Sequence, residues 1–264
     1  MKKKKSRNLR RLEEYFKKMK KVSIAFSGGI DSTALAIAAA GSLGPEKVKL
    51  IHLTTPIHSP ADVVSAESTA IKLGLGITFV KLNPLNNKRF TANPNNRCYY
   101  CKKDVFKLIK KRSRGFAVVE GTNASDMSDF RPGFKAVRDM HIKSPLYELD
   151  MTKTDARAIV KEGGFKFYKA LPNTCFATRV AYGVQITNDR VRRIEKAENF
   201  IKKLIKTDFI RVRDHGDYAR IELKKKDIKI AAKKHDLISE KLHKLGYKFV
   251  ALDMDGYRQG SLNP

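Results

Sequence analysis

The sequence predicts an α/β fold, a parallel sheet with helical crossovers followed by a smaller α+β unit. Three observations carry this. Short β-branched and apolar runs at 22–26, 48–53, 77–82 and 116–120 alternate with helix-length stretches, the spacing that right-handed crossovers require. The 264 residues, 42% of them hydrophobic, suffice for one large domain or two modest ones. After Thr187 the pattern changes to a charged helix, two period-two runs, a further helix and a strand. The expected division is a basic N-terminal helix over 1–21, a nucleotide-type domain over 22–186 and a C-terminal α+β unit over 187–264.

The elements follow in order. In 1–21, Leu9, Leu12, Tyr15, Phe16 and Met19 recur at helical spacing, so this segment docks by one stripe. The run 22–26 turns through Gly28 and Gly29 into a helix over 30–40, stopped by Gly41 or Gly44. Ser59-Pro60 reads as a cap with proline at the first helical position, and the helix continues over 61–73 to Gly74. Residues 83–97, rich in Asn and Pro, read as loop. They deliver Cys98-Tyr99-Tyr100-Cys101 to the start of a helix over 102–111. Residues 126–133 read as polar loop with a turn at Arg131-Pro132-Gly133. Thr152 and Asp155 make a capping-box variant before a helix over 153–162, which Gly163-Gly164 ends. Beyond 187 come a helix over 189–206, a hairpin of 209–213 and 218–223, a helix over 227–245 and a strand over 249–252.

Chemistry concentrates first in Ser27-Gly28-Gly29-Ile30-Asp31-Ser32-Thr33. Strand, glycine turn and helix start leave outward-pointing N–H groups at the positive end of a helix dipole. Ser27, Ser32 and Thr33 add hydroxyls, so the loop suits an anion such as phosphate. No Gly-Lys-[Ser/Thr] follows, which excludes the Walker pattern. Ligands of such sheets sit beyond the carboxyl ends of the strands, where the loop at Gly121 also leaves its strand.

Composition narrows the classes. Fifty-five basic residues against 27 acidic ones give a net charge of +28. Nucleic acid is the usual partner of such a balance; a lysine-rich solvated surface gives the same number, and a nucleotide substrate also benefits. No apolar run approaches the ~18 residues needed to span a bilayer, and no signal-like apolar segment follows the first lysines, so the cytoplasm is expected. Cys98, Cys101 and Cys175 are too few for a disulfide framework. Zinc would need a fourth ligand. A dithiol with a spare cysteine would serve redox relay. Three thiolates on an iron–sulfur cluster would leave one iron open.

The combined motifs are more specific. They are Ser27–Ser32, the run from Asn93 to Lys102 with its two cysteines, Gly121-Thr122-Asn123-Ala124, Arg131-Pro132-Gly133, Ser144-Pro145-Leu146, and Cys175 with Arg179. They continue with Arg211-Val212-Arg213, Ala219 to Glu222 and Asp255 to Ser261. With these the chain resembles the ATP-dependent pyridinium-3,5-biscarboxylic acid mononucleotide sulfurtransferases, the sulfur insertases of the nickel-pincer nucleotide pathway that serves lactate racemase.

The resemblance implies a Rossmann-like parallel sheet of the pyrophosphate-loop ATPase (adenine nucleotide alpha hydrolase-like) type. It implies that ATP is held by Ser27, Gly28, Gly29, Asp31, Ser32, Gly121 and Lys153, with Mg²⁺ on Asp31 and with Asn123 and Asp126 lining the site. Arg211 and Arg213 would take the substrate phosphate and Arg179 a carboxylate or AMP, with Glu198 and Glu222 orienting arginines or holding metal. Some members sacrifice the cysteine equivalent to Cys175; others hold a [4Fe-4S] cluster on three cysteines. Cys98 and Cys101 imply the cluster type, so Cys98, Cys101, Cys175 and Asp31 are the expected catalytic residues. Implied partners are a mononucleotide substrate, a sulfide donor and further copies of the chain, to a hexamer in the family. Nucleic acid is not expected, although the charge does not exclude it; a transfer-RNA thiolase of the same superfamily is the nearest alternative. An ammonia-using synthetase would need no cysteines, and a non-enzymatic basic binding protein would not split ATP.

Overall fold

A computed structural model describes residues 5–128, 131–166 and 174–262. The first four residues of the basic segment, and Pro172 and Asn173 ahead of the third cysteine, lie outside the described residues. The described chain divides into two compact units. One takes in the residues up to Thr55, Pro60–Leu82 and 98–166; the other takes in Pro56–Ser59, Asn83–Arg97 and the residues from Thr174 onward.

In the first unit, α1 (Arg7–Lys17) starts at Ser6, whose Oγ accepts from the Leu9 amide. Its stripe of Leu9, Leu12 and Phe16 is buried, as the spacing requires. Strand β1 (Val22–Ala25) leads through the glycine turn to α2 (Ile30–Leu43), and Gly44 at φ +86° ends that helix. Then come β2 (Val48–Thr54), α3 (Pro60–Leu73) and β3 (Ile77–Lys81). The short α4 (Lys88–Thr91) belongs to the second unit. Helix α5 (Arg97–Ser113) precedes β4 (Ala117–Val119), after which α6 (Pro132–Asp139), α7 (Pro145–Glu148) and α8 (Lys153–Glu162) complete the unit.

The four strands are parallel in the order β3-β2-β1-β4. Period-two alternation supplies both faces. Val22, Ile24, Val48, Leu50 and Val119 pack with α1, α2, α3 and α8. Ile51, Val80 and Val118 pack with Phe106 and Ile109 of α5 and Val137 of α6. Chain order therefore reverses between β1 and β4, and the topological switch point lies at their carboxyl ends.

The second unit is built on α9 (Asn188–Ile205), which Thr187 caps through its Oγ. A hairpin of β5 (Ile210–Asp214) and β6 (Tyr218–Leu223) follows, then α10 (Lys225–Ala232), α11 (His235–Lys244) and β7 (Phe249–Leu252). Strands β5 and β6 are antiparallel and β7 joins β6 in parallel. Ala197, Ile201, Val212, Ile221, Leu242 and Tyr247 lie in its core.

Four readings are corrected. The helix expected over 227–245 is two helices: Lys234 at φ −110°, ψ 20° breaks it without a glycine or proline to signal the break. Residues 83–97 include a 3₁₀ turn and α4. Pro132 does not make a turn; it opens α6, whose Gly133, Ala136 and Val137 are buried. Helix α5 begins at Arg97 rather than at 102, so both cysteines lie within its first turns. No helix among the described residues is long and apolar enough to cross a membrane.

Candidate active site

The Ser27 loop turns as its glycines dictate. Gly28 has φ +74°, and a Cβ there would stand 2.7 Å from the Ala66 Cα of α3. Ser27 Oγ accepts from the Gly29 amide at 3.2 Å and lies 3.2 Å from Ser32 Oγ, which donates back to the Gly29 carbonyl at 3.2 Å. No side chain caps α2, so its first-turn amides remain available to an anion.

Two further segments close on this loop. Gly121, two residues past β4, comes so near that a Cβ would meet Asp31 Cβ at 2.9 Å and the Ser32 amide nitrogen at 3.2 Å. Lys153, the first residue of α8, donates to Asp31 Oδ2 at 2.5 Å, and Asn123 Nδ2 donates to Oδ1 at 3.3 Å. Helix α8 is fixed for this by the capping box of Thr152 and Asp155. Burial raises the Asp31 carboxyl above the usual carboxylate range; Lys153 and Asn123 pull it down, and Asp126 pushes it up. Asp126 is itself paired with Arg131 at 2.7 Å. Among the described residues no three His, Cys, Asp or Glu side chains form a group that could hold a metal. Mg²⁺ fits Asp31 nonetheless, because it is commonly held by one or two carboxylates plus substrate phosphates rather than by a protein cage.

Cys98 and Cys101 stand near one turn apart at the head of α5, half-exposed and outside any disulfide. The next residue, Lys102, reaches Glu120 Oε2 at 3.4 Å. Glu120 is buried between β4 and Gly121 and accepts from Ser144 Oγ at 2.6 Å and the Thr122 amide at 3.0 Å. Burial alone would raise this carboxyl, but Lys102, Ser144 and Thr122 outweigh it and hold it below its ordinary value. The cysteine turn is thereby tied to the strand end that also brings Gly121 to Asp31. Glu120 escaped sequence reasoning. Its signal was an acid closing an apolar run directly before Gly121-Thr122-Asn123.

The remaining expected residues gather in the second unit. Arg179 is 1% exposed. Its Nη1 donates to the Thr174 and Cys175 carbonyls at 2.6 and 2.9 Å, and its Nε donates to Glu198 Oε1 at 3.1 Å. It therefore holds the Cys175 turn in shape. Glu198 also accepts from the Val212 amide at 3.0 Å. On β5, Arg213 pairs with the fully buried Glu222 at 2.7 Å. Glu222 accepts as well from Arg220 at 3.0 Å and from Ser261 Oγ at 2.6 Å. Arg211 lies over the Phe209 ring at 4.3 Å. Burial, with Arg179 and Arg213 beside it, lowers its guanidinium to about 10. Arginines 179, 211, 213 and 220 thus face three carboxylates, Glu198, Glu222 and Asp253, the last 3.7 Å from Arg220 Nε, and the one surplus positive charge suits an anion. Arg220, like Glu120, was not singled out as a site residue; its spacing of two from Glu222 puts both on one strand face.

Comparisons with known proteins give the family. A family model described as NAD synthase matches residues 6–126, which span α1 to Asp126 and hold the whole Ser27 loop. The NH₃-dependent NAD⁺ synthetase of Pyrococcus horikoshii is 39% identical over 64 residues, 24% of each chain. Over nearly the full length, the chain is 32% identical to the pyridinium-3,5-bisthiocarboxylic acid mononucleotide synthase of Lactiplantibacillus plantarum, covering 94% of this chain and 90% of that one. The chain belongs to the pyridinium-3,5-bisthiocarboxylic acid mononucleotide synthase family. An uncharacterized protein of Synechocystis sp. is similar at 32% identity over 97% of this chain and 96% of its own. The first unit carries the Ser27 loop and the Cys98–Cys101 turn, and the second carries Cys175, whose carbonyl accepts from Arg179.

Proposed function

We propose that the protein is an ATP-dependent sulfurtransferase. It adenylates a carboxylate of a pyridinium biscarboxylate mononucleotide and replaces the activated oxygen with sulfur. The observation that carries this reading is the shared strand end. The Lys102–Glu120 bond ties Cys98 and Cys101 to the segment whose Gly121 closes on Asp31. Activation and sulfur delivery would then occur at one edge of the sheet.

The substrate carboxylate attacks the α-phosphorus of ATP, the α–β bridging bond breaks, and pyrophosphate leaves onto the α2 amides, Ser27, Ser32 and Lys153. Those fixed donors receive charge as it develops, which is where electrostatic stabilisation is largest. Asp31 would hold Mg²⁺, which neutralises charge on the pyrophosphate. Hydrosulfide sulfur then forms a C–S bond as the acyl–AMP C–O bond breaks, giving thiocarboxylate, AMP and a proton. Arg211 and Arg213 would bind the mononucleotide phosphate. Cys98, Cys101 and Cys175 would hold a [4Fe-4S] cluster, thiolates being the donors it takes, and an iron left open by three ligands would bind that sulfur. Among the described residues the three cysteines do not form a ready metal group, so bound iron in the wild type and its loss in each cysteine variant test this assignment.

The test is anaerobic. Protein reconstituted with iron and sulfide is incubated with ATP, Mg²⁺, sulfide and the mononucleotide. AMP, pyrophosphate and a product with oxygen replaced by sulfur should appear together, and Cys98→Ser, Cys101→Ser and Cys175→Ser should each lose bound iron. Cys175 recovered as dehydroalanine would favour the sacrificial route. A thiolated tRNA base as the product would overturn the substrate assignment.

A further inference from the structure

A parallel sheet gathers the amino ends of its strands on the edge opposite its ligand site. Val22 is in register with both Val48 and Ala117, so the segments entering β1, β2 and β4 meet on that edge. Residues 17–21, 46–49 and 110–114 carry ten basic side chains, every one exposed, and a single acid, Glu46. Lys21 and Lys49 converge on one ring, with their Nζ atoms 5.0 and 4.1 Å from the Phe116 centroid. Among the described residues, the ten make one ion pair with a carboxylate, Lys47 to Glu46 at 3.9 Å.

We infer that this edge is a docking surface for nucleic acid, held through the phosphate backbone without reading sequence. Three adjacent strands span about 10 Å at ~4.8 Å spacing, a cationic band narrow enough to follow a phosphate backbone that carries one charge per ~1.7 Å of duplex axis. An acidic protein partner fits less well. Protein interfaces have an apolar core inside a polar rim, and none of the exposed large apolar side chains of the described residues falls in these three segments. The surface lies at the end of the sheet opposite the Ser27 loop, so the inference stands independently of the sulfur-transfer reading.

The experiment uses the full chain, a fluorescently labelled 20-base-pair duplex and anisotropy over a salt series. Wild-type protein should bind with log affinity falling linearly against log salt. The variant K21Q/K49Q/K110Q/R114Q should flatten that slope by about 3.6 units and weaken binding at least tenfold near 0.1 M salt, since the slope is ≈ −0.9 per phosphate neutralised. Removing the same charge from exposed side chains of α10 and its C-cap, as K225Q/K226Q/K229Q/K233Q, should leave the slope within about one unit of wild type. Amine labelling of the wild type gives a second readout: duplex should protect Lys21, Lys49 and Lys110 and leave Lys225 reactive. No duplex binding, equal weakening by both variants, or no protection of Lys21 and Lys49 would overturn the inference. Polyglutamate binding as tightly, and with the same sensitivity to the first variant, would overturn the assignment to nucleic acid.

Discussion

Replacing Gly121 with alanine tests the cradle most directly, because the added atom is one methyl and its neighbours are known. The new Cβ would stand 2.9 Å from Asp31 Cβ and 3.3 Å from the Asp31 carbonyl carbon. Optimal carbon–carbon separation is ~3.5–4.0 Å, so the start of α2 must retreat by about 0.5–1 Å. Both atoms belong to a helix start and neither can swing aside as a long side chain would. Overpacking of this kind costs about 1–3 kcal/mol, and a misplacement near 1 Å costs about 10²-fold in rate. G121A should therefore melt only modestly below wild type while its AMP formation falls about 10²-fold. Gly76→Ala is the control. No atom lies within 4 Å of its would-be Cβ and its φ is not positive, so it should be neutral or gain up to ~1 kcal/mol. A G121A protein that forms AMP at the wild-type rate would refute the idea that the two loops make one phosphate site.

Further expectations concern charge. Asp31→Asn should keep the fold but lower Mg²⁺-dependent AMP formation by at least about 10², the scale of a lost electrostatic stabiliser. Since the folded Asp31 pKa is raised, its contribution to stability is fully present below the unfolded pKa and is lost as pH rises through the folded one. Mg²⁺ at neutral pH should reverse that loss by favouring the anion, so it should raise the melting temperature of wild type and not of D31N. The Glu120 pKa is lowered, so that carboxylate stabilises above its unfolded pKa and the support fades as pH falls through the folded value. Ser144→Ala should shift acid unfolding towards higher pH and cost about 1–3 kcal/mol by denaturant titration. Glu198→Ala, which leaves the buried Arg179 without its carboxylate, should cost about 3–5 kcal/mol and speed thiol labelling of Cys175; unchanged labelling would deny Arg179 its hold on that turn.

Much of this was legible in the chain because the signals were local. Strand–glycine–helix at 22–33, the alternation that divides Val118 from Val119 between two cores, and the capping box at Thr152 each involve residues within a few positions of one another. What escaped was decided by partners distant in sequence. Lys102 and Glu120 are eighteen positions apart, and Ser261 reaches Glu222 across thirty-nine. The paired arginines show where the limit fell. Their spacing indicated a common face, but a common face in water and one in a buried network read identically along the chain. The difference comes from β6, which sets Glu222 opposite Arg211 in register while its carboxylate engages the diagonal Arg213. Arg211 is left without that carboxylate, and burial first, then the charges of Arg179 and Arg213 beside it, lower its pKa to about 10. An anion bound beside Arg211 would restore that pKa. A phosphate mimic should accordingly bind wild type more tightly than Arg211→Gln, and Arg211→Lys should recover the charge without the fork, restoring part of the affinity.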